Sequence, residues 1–532
     1  MRDATLLPDL ITLSADRTPQ APALTYDGRT MSYGELSDAV SRFRNGLMSL
    51  GLQRGERVAI YLEKRFETVI ASFGAPAAGG VFVPLNPLLK AEQVGYILRD
   101  CNVRVLVTSA ERLALLSDTL PACHDLRHVI VLDSEEPLPS GGAIGYQRWS
   151  DVLAQSEAEG HRVIDTDVLG ILYTSGSTGK PKGVVLSHRN MVAGAKSVAS
   201  YLENTAEDTL LAALPLSFDA GFSQLTTAFH VGARVALLNY LLPRDVVKAL
   251  EREQVTGLTA VPPLYIQLTQ LTWPESIADR LRYFATTGGR MPRETLTALR
   301  QKLPKSKPFL MYGLTEAFRS TFLPPSEVDR RPDSIGKAIP NAEILVLRED
   351  GTECAPNEPG ELVHRGALVG LGYWNDPEKT AERYKPLPVG VASREAGLVL
   401  PEFAVFSGDN VRKDEEGFIY FIGRRDEMMK TSGYRVSPTE VEEILYATKL
   451  VGECVAFGVD DDRLGHAIQV IVTPPSGETE LDTVALLAEC RNRMPAYMVP
   501  SGIEVRNGPL PRNPNGKIDR KTLATEWVEK HS

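Results

Sequence analysis

From the N-terminus to about residue 165, and again from 190 to 320, short apolar runs alternate with longer stretches whose apolar positions recur at helical spacing. Arg57-Val-Ala-Ile-Tyr-Leu62 and Val81-Phe-Val-Pro84 predict buried strands, and Glu67 to Ala77 between them predicts a helix. Ser32, with Glu35 three residues on, predicts the capped start of an amphipathic helix. Val168-Leu-Gly-Ile-Leu-Tyr173 and Leu210-Leu-Ala-Ala-Leu214 predict further buried strands, the second ending at Pro215. Alternation of this kind argues for an α/β fold, with mainly parallel sheets flanked by helices. From about residue 335 the texture changes to short strands and turns: Ser334-Ile-Gly-Lys, Glu343-Ile-Leu-Val-Leu347 and Gly360-Glu-Leu-Val-His-Arg-Gly366. A smaller β-rich subdomain over about 335–423 is expected, with a surface loop from Pro386 to Glu402. Beyond it, a helix over Thr439 to Lys449 and strands at 453–459 and 467–473 predict a small α+β domain, 424–532, after a large one, 1–423.

A chain of 532 residues exceeds one ordinary core, which supports that division. Its 43% hydrophobic and 24% charged residues are those of a globular protein. A net charge of −10 argues against nucleic-acid binding, which needs a basic face. The five cysteines are scattered and show no CxxC or Cys/His spacing, so neither a disulfide framework nor a zinc site is indicated. No run approaches the ~18 apolar residues of a membrane span. The N-terminus lacks a signal-peptide core, so the expected compartment is the cytoplasm.

The chemistry concentrates in Tyr173-Thr-Ser-Gly-Ser-Thr-Gly-Lys-Pro-Lys-Gly183, which follows one apolar strand and precedes another, Val184-Val-Leu186. Three glycines, hydroxyl side chains and two lysines have little to bury, but they suit phosphate oxygens: glycine permits close backbone approach and lysine supplies charge. It is not a Walker A loop, because Pro181 stands where that motif needs a metal-binding Ser or Thr. Elsewhere, Tyr283-Phe-Ala-Thr-Thr-Gly-Gly-Arg290 and Phe309-Leu-Met-Tyr-Gly-Leu-Thr-Glu316 are strands running into polar turns. Strand ends of open α/β sheets are where ligands bind. Asp219, between Phe218 and Phe222, is an odd place for a free charge; it reads equally as a helix cap or as a substrate contact. Lys517, on a Pro/Asn/Gly loop, reads by itself as a surface charge.

Together these stretches resemble the adenylate-forming superfamily: acyl- and aryl-CoA ligases, luciferases and peptide-synthetase adenylation domains. The matching motifs run from Tyr33 to Arg520. The resemblance implies phosphate binding by Thr174, Ser175, Gly176, Ser177, Thr178, Gly179, Lys180 and Lys182. It implies that Gly288 and Gly289 lie along adenine, that Tyr312 is an aromatic shelf, and that Gly313 beside it also binds ATP. Thr315 would bind phosphate, Glu316 Mg²⁺, and Asp409 of Phe406-Ser-Gly-Asp409 the ribose hydroxyls, with Arg424 near the nucleotide. Asp426 would be the hinge of a mobile small domain, Gly433 would border the thiol channel, and Lys517 would be the catalytic lysine. Leu314 and Ser407 depart from the residues common in the family, Pro and Thr. The block Phe73 to Pro87 is also family-like, and is read as packing.

The implied reaction is ATP-dependent adenylation of a small carboxylic acid, followed by transfer to the thiol of CoA or of a phosphopantetheinyl carrier protein. Phe218-Asp219 resembles carrier-loading domains, in which the Asp grips a substrate ammonium group. The Lys430–Pro438 block resembles CoA ligases. A fatty or aryl acyl-CoA synthetase without amine recognition, and a luciferase-like oxygenase, are the alternatives.

Overall fold

A computed structural model describes residues 3–174, 181–395, 397, 399–425, 427–431, 434–461, 464–514 and 516–531. Among them the strands form three sheets. The first runs in the order Gly145–Arg148, His128–Leu132, Val103–Ser109, Arg57–Tyr61, Val81–Pro84, Val168–Thr174, Lys182–Ser187. Its neighbours are parallel except the last two, which form a hairpin with Thr174 opposite Lys182. The flanks of the predicted phosphate loop are thereby held side by side.

The second sheet is parallel through Pro22–Tyr26, Arg234–Leu237, Thr209–Ala212, Gly257–Ala260, Tyr283–Thr286 and Lys307–Tyr312. From Thr321–Leu323 it continues antiparallel into the β-rich region, through Ser334–Ala338, Ile419–Arg424, Phe403–Lys413, Gly360–Gly366 and Ala342–Leu347. The parallel strands are apolar because helices cover both faces; the antiparallel Phe403–Lys413 alternates buried and half-exposed residues.

The capping box forms: Ser32 N donates to Glu35 Oε2 at 2.7 Å and Glu35 N to Ser32 Oγ at 3.3 Å, opening the helix Tyr33–Ser49. The strand expected over 210–214 is Thr209–Ala212. Its register ends early because Lys64 Nζ takes the Ala213 carbonyl at 3.0 Å and the Leu214 carbonyl at 3.4 Å. The helix Asp219–Val231 is buried almost all round, although Asp219, Ser223, Gln224, Thr226 and Thr227 interrupt its apolar residues. Phe222 stacks on Phe82 (centroids 4.8 Å apart) and Phe73 (5.7 Å), so packing between the first two sheets sets the helix position. The Phe73–Pro87 block does pack tightly; a Cβ on Gly74 would lie 2.7 Å from the Phe43 ring.

The third sheet, Tyr434–Val436, Met429–Thr431, Gly465–Val472, Cys454–Asp461 and, beside Gly465–Val472, Gly502–Val505, packs with the helices Pro438–Ala447 and Thr483–Arg493 around a separate core. Glu443 and Lys449 face Arg290 and Glu294 of the large lobe, at 3.6 and 3.1 Å. Among the described residues no helix is long and apolar enough to cross a membrane.

Candidate active site

The ends of the parallel strands of the second sheet converge with the small lobe's C-terminal loop. Lys517 lies on a turn pinned from within: Asn513 Oδ1 accepts from Lys517 N at 3.1 Å, and Gly516 N donates to Asn513 O at 2.9 Å. Asn86 Nδ2 holds the same loop from the large lobe, donating to Pro514 O at 2.7 Å. The Lys517 side chain passes over the Gly-Gly turn, where a Cβ on Gly288 would come within 2.9 Å of its Cε. Gly288 also has φ +78°, so both space and backbone favour glycine there. Enclosure pulls the Lys517 pKa down, the Arg424 charge adds to this, and Asp219 and Asp409 oppose it.

Asp219 is buried as the first residue of its helix. Phe218 is the N-cap and makes no side-chain cap bond, so the capping reading of Asp219 gives way. The helix start is pressed against Pro215, since a Cβ on Gly221 would lie 1.8 Å from the Pro215 carbonyl oxygen. Thr315 Oγ1 approaches Asp219 Oδ1 at 3.4 Å. Burial raises the Asp219 pKa, with the charges of Arg319 and Lys517 as the main opposition.

Glu316 follows Thr315 in a tight turn, and its Oε1 accepts from Tyr373 Oη at 2.5 Å. The Lys182 ammonium sits 5.5 Å from the Tyr373 ring centroid. Among the described residues no three His, Cys, Asp or Glu side chains come together as a metal cage. A divalent cation beside Glu316 would find a carboxylate oxygen there and could share the phosphate oxygens, which suits Mg²⁺.

Asp409 lies within the strand Phe403–Lys413, not in a turn, and is buried. Tyr312 Oη donates to its Oδ2, so the expected aromatic shelf also orients the expected ribose ligand. Asp409 Oδ1 accepts no hydrogen bond among the described residues and faces Arg424 Nε at 3.3 Å. A buried carboxylate oxygen left over in this way fits a ribose hydroxyl. Burial raises the Asp409 pKa, while Arg424 and the Tyr312 hydrogen bond pull it back.

The structure links Lys517 to Gly288, Asp219, Asp409 and Arg424, Tyr312 to Asp409, Thr315 to Asp219, and Glu316 through Tyr373 to Lys182, with Thr174 opposite Lys182; Phe218, Gly289 and Gly313 adjoin Asp219, Gly288 and Tyr312 in the chain. Ser175, Gly176, Ser177, Thr178, Gly179 and Lys180, the hinge candidate Asp426 and the channel candidate Gly433 lie outside the described residues. Sequence reasoning missed three neighbours. Tyr373 positions Glu316, Asn86 had been read as packing, and Arg319 is 2% exposed below the cleft. Arg319 was findable: a charge between Phe318 and Ser320-Thr-Phe322 is as odd in sequence as Asp219 between two phenylalanines.

Comparison with known proteins gives the same outline. Residues 11–374 match the family profile described as AMP-binding enzyme, and 440–517 that described as AMP-binding enzyme C-terminal domain. The long-chain-fatty-acid–CoA ligase of Bacillus subtilis (strain 168) is 29% identical over 99% of this chain and 95% of its own length. Gramicidin S synthase 2 of Aneurinibacillus migulanus is 30% identical over 96% of this chain, which spans only 11% of that protein. Among solved structures, the anthranilate CoA ligase AuaEII in complex with anthranoyl-AMP superposes with a TM-score of 0.88 at 24% identity, covering 100% of this chain and 99% of that one. The o-succinylbenzoate CoA synthetase MenE of Bacillus subtilis, in complex with the acyl-adenylate OSB-AMP, gives 0.80 at 26% identity over 98% of both chains. With most of its length matched and both lobes in the same order, the chain belongs to the AMP-binding enzyme family.

Proposed function

We propose that this chain, an AMP-forming acid–thiol ligase, activates a small carboxylic acid with ATP in the cleft beneath Lys517 and passes the acyl group to a phosphopantetheine thiol of CoA or of a carrier protein. A carboxylate is a poor acyl donor because its leaving group would be oxide; joined to AMP it becomes a mixed anhydride. The obstacle is that one anion attacks another, so donors and positive charge must already be in place as charge builds at the α-phosphate. Lys517 acts as a point charge bridging carboxylate and phosphate oxygens. Thr315 donates to phosphate, Asp409 accepts the ribose hydroxyls, and Tyr312, Gly288 and Gly289 border the base. Glu316, steadied by Tyr373, would hold Mg²⁺, whose charge would offset that of the phosphates. The hydroxyl, glycine and lysine residues of 174–182 cradle the phosphates. The reaction needs no side chain as a covalent nucleophile.

One observation carries this reading. The Lys517 side chain lies against the Gly-Gly turn, where a Cβ on Gly288 would come within 2.9 Å of its Cε, so the small lobe stands with its lysine over the strand ends. Thioester formation then needs Lys517 withdrawn to admit the thiol. The test separates the halves: Lys517→Ala abolishes acid-dependent ATP–pyrophosphate exchange and spares thioester formation from preformed acyl-adenylate. Equal loss of both overturns the assignment of Lys517. Product mass after incubation with CoA or with a loaded carrier protein identifies the acceptor.

A further inference from the structure

Arg319 lies buried between the helix Asp219–Val231 and the parallel strands, and no carboxylate comes within 4.0 Å of it among the described residues. Its guanidinium is held at one point: Nη1 donates to Thr287 Oγ1 at 2.9 Å, while the buried Nε makes no hydrogen bond among the described residues. The backbone is bent to put it there. Phe318 takes φ +58° and ψ −50°, rare for a bulky residue, and its ring is pressed on Gly194, where a Cβ would lie 2.3 Å from it. A strained bend and an uncompensated buried charge both oppose folding, and such features collect where a site needs them.

The neighbours of Arg319 say which site. Thr287 directly precedes Gly288 and Gly289, the turn over which the Lys517 side chain passes. The other turn is just as close: a Cβ on Gly313 would lie 3.1 Å from the Arg319 Cα, and Ser320 N donates to Tyr312 O at 3.1 Å. Asp219 feels the same charge. Burial raises its pKa, Arg319 opposes the rise ahead of Lys517, and Glu316 adds to it. Beside the guanidinium is a space with room for one water, about 10 Å³, lined by Ser223, Gln224, Thr227 and Arg319 among others. Gln224 Nε2 is engaged, donating to Leu211 O at 2.6 Å, but Gln224 Oε1 and Thr227 Oγ1 are buried and, like Arg319 Nε, lack partners among the described residues. One donor and two oxygens are a sufficient set for a single water.

We propose that Arg319 is a positioning residue for the nucleotide site: through Thr287 it braces the Gly-Gly turn from beneath, and one buried water ties its guanidinium to Gln224 and Thr227 of the helix. This rests on the adenylating role proposed above. Because the brace is kept at a cost in stability, removing it separates stability from function.

Calorimetric ATP binding and thermal unfolding of the whole protein test this in Arg319→Met, Thr287→Val and the double variant. Methionine removes the buried charge, so Arg319→Met should unfold at or above the wild-type temperature. It should also bind ATP about 10-fold more weakly, as should Thr287→Val, which cuts the one hydrogen bond. The double variant should bind no more weakly than Arg319→Met, because both changes act through one contact. A lower unfolding temperature for Arg319→Met overturns the inference, since that is what an arginine serving only the core would give. Unchanged ATP affinity in Thr287→Val overturns it too, as do losses that multiply in the double variant. A crystal structure with one water bonded to Arg319 Nε supports it, and one with a carboxylate paired to Arg319 overturns it. ATP–pyrophosphate exchange keeps the two readings apart. A wild-type protein that binds ATP but activates no acid overturns the adenylating role alone, whereas failure to bind ATP overturns both.

Discussion

At the scale of single residues, the site is a set of charges placed where their ordinary behaviour is disfavoured. Lys517 is drawn from water between the lobes, and desolvation lowers its pKa. The sign follows directly. Folding disfavours the ammonium form, so as pH rises the folded protein loses this proton before an ordinary lysine would. Adenylation needs the charged form, so its rate falls on the alkaline side at a lower pH than an ordinary lysine dictates. Thioester formation from preformed adenylate, with the lysine withdrawn, lacks that limb. Single-turnover pH profiles of the two half-reactions test this; superimposable alkaline limbs would refute it. Lys517, Asp409, Thr315 and Glu316 were legible in sequence because each sits in a short motif. Tyr373 was not: it lies 57 residues from the Glu316 it holds, and nothing in its own surroundings marks it.

At the scale of elements, periodicity and local chemistry predicted the strands Arg57–Tyr61 and Val81–Pro84, the helix Phe66–Ala77 and the capped start at Ser32 closely, because they depend on neighbours in sequence. The end of Thr209–Ala212 was misplaced because Lys64, far away in the chain, captures the next two carbonyls. The helix Asp219–Val231 shows how an element aims a site. Its first turn is wedged against the Pro215 carbonyl by a glycine, and its Phe222 is clamped between Phe73 and Phe82. Gly221→Ala would push that turn away from the strand end. We expect a stability loss of about 1–3 kcal/mol, as for overpacking elsewhere, and a KM for the acid raised at least as much as that for ATP. Urea unfolding and steady-state exchange measure both; an unchanged acid KM in a destabilised variant would show that the turn does not set Asp219.

At the scale of the whole molecule, the contacts that hold the small lobe over the strand ends include, among the described residues, Asn86 to Pro514, Arg290 and Arg293 to Glu443, and Lys449 to Glu294. The two ion pairs are partly exposed and contribute little each. The Asn86 bond is more enclosed and anchors the Lys517 loop itself. Asn86→Ala removes about 1 kcal/mol from this arrangement, so adenylation should slow about 5-fold while thioester formation from preformed adenylate is unchanged or faster. Slowing of both halves alike would mean that Asn86 supports the large lobe instead.

The sequence by itself determined the alternating architecture, the family and the motif residues, since all three are written in short contiguous stretches whose chemistry is local. It left Asp219 open between a cap and a substrate contact, because both readings use the same carboxylate at the start of the same helix. Tertiary structure settled the capping half of that question by making Phe218 the N-cap. It alone brought Arg319, a hundred residues on in the chain, close enough for its charge to act on the buried Asp219. Burial of a charge is a property of everything packed around it, and no window of sequence contains that.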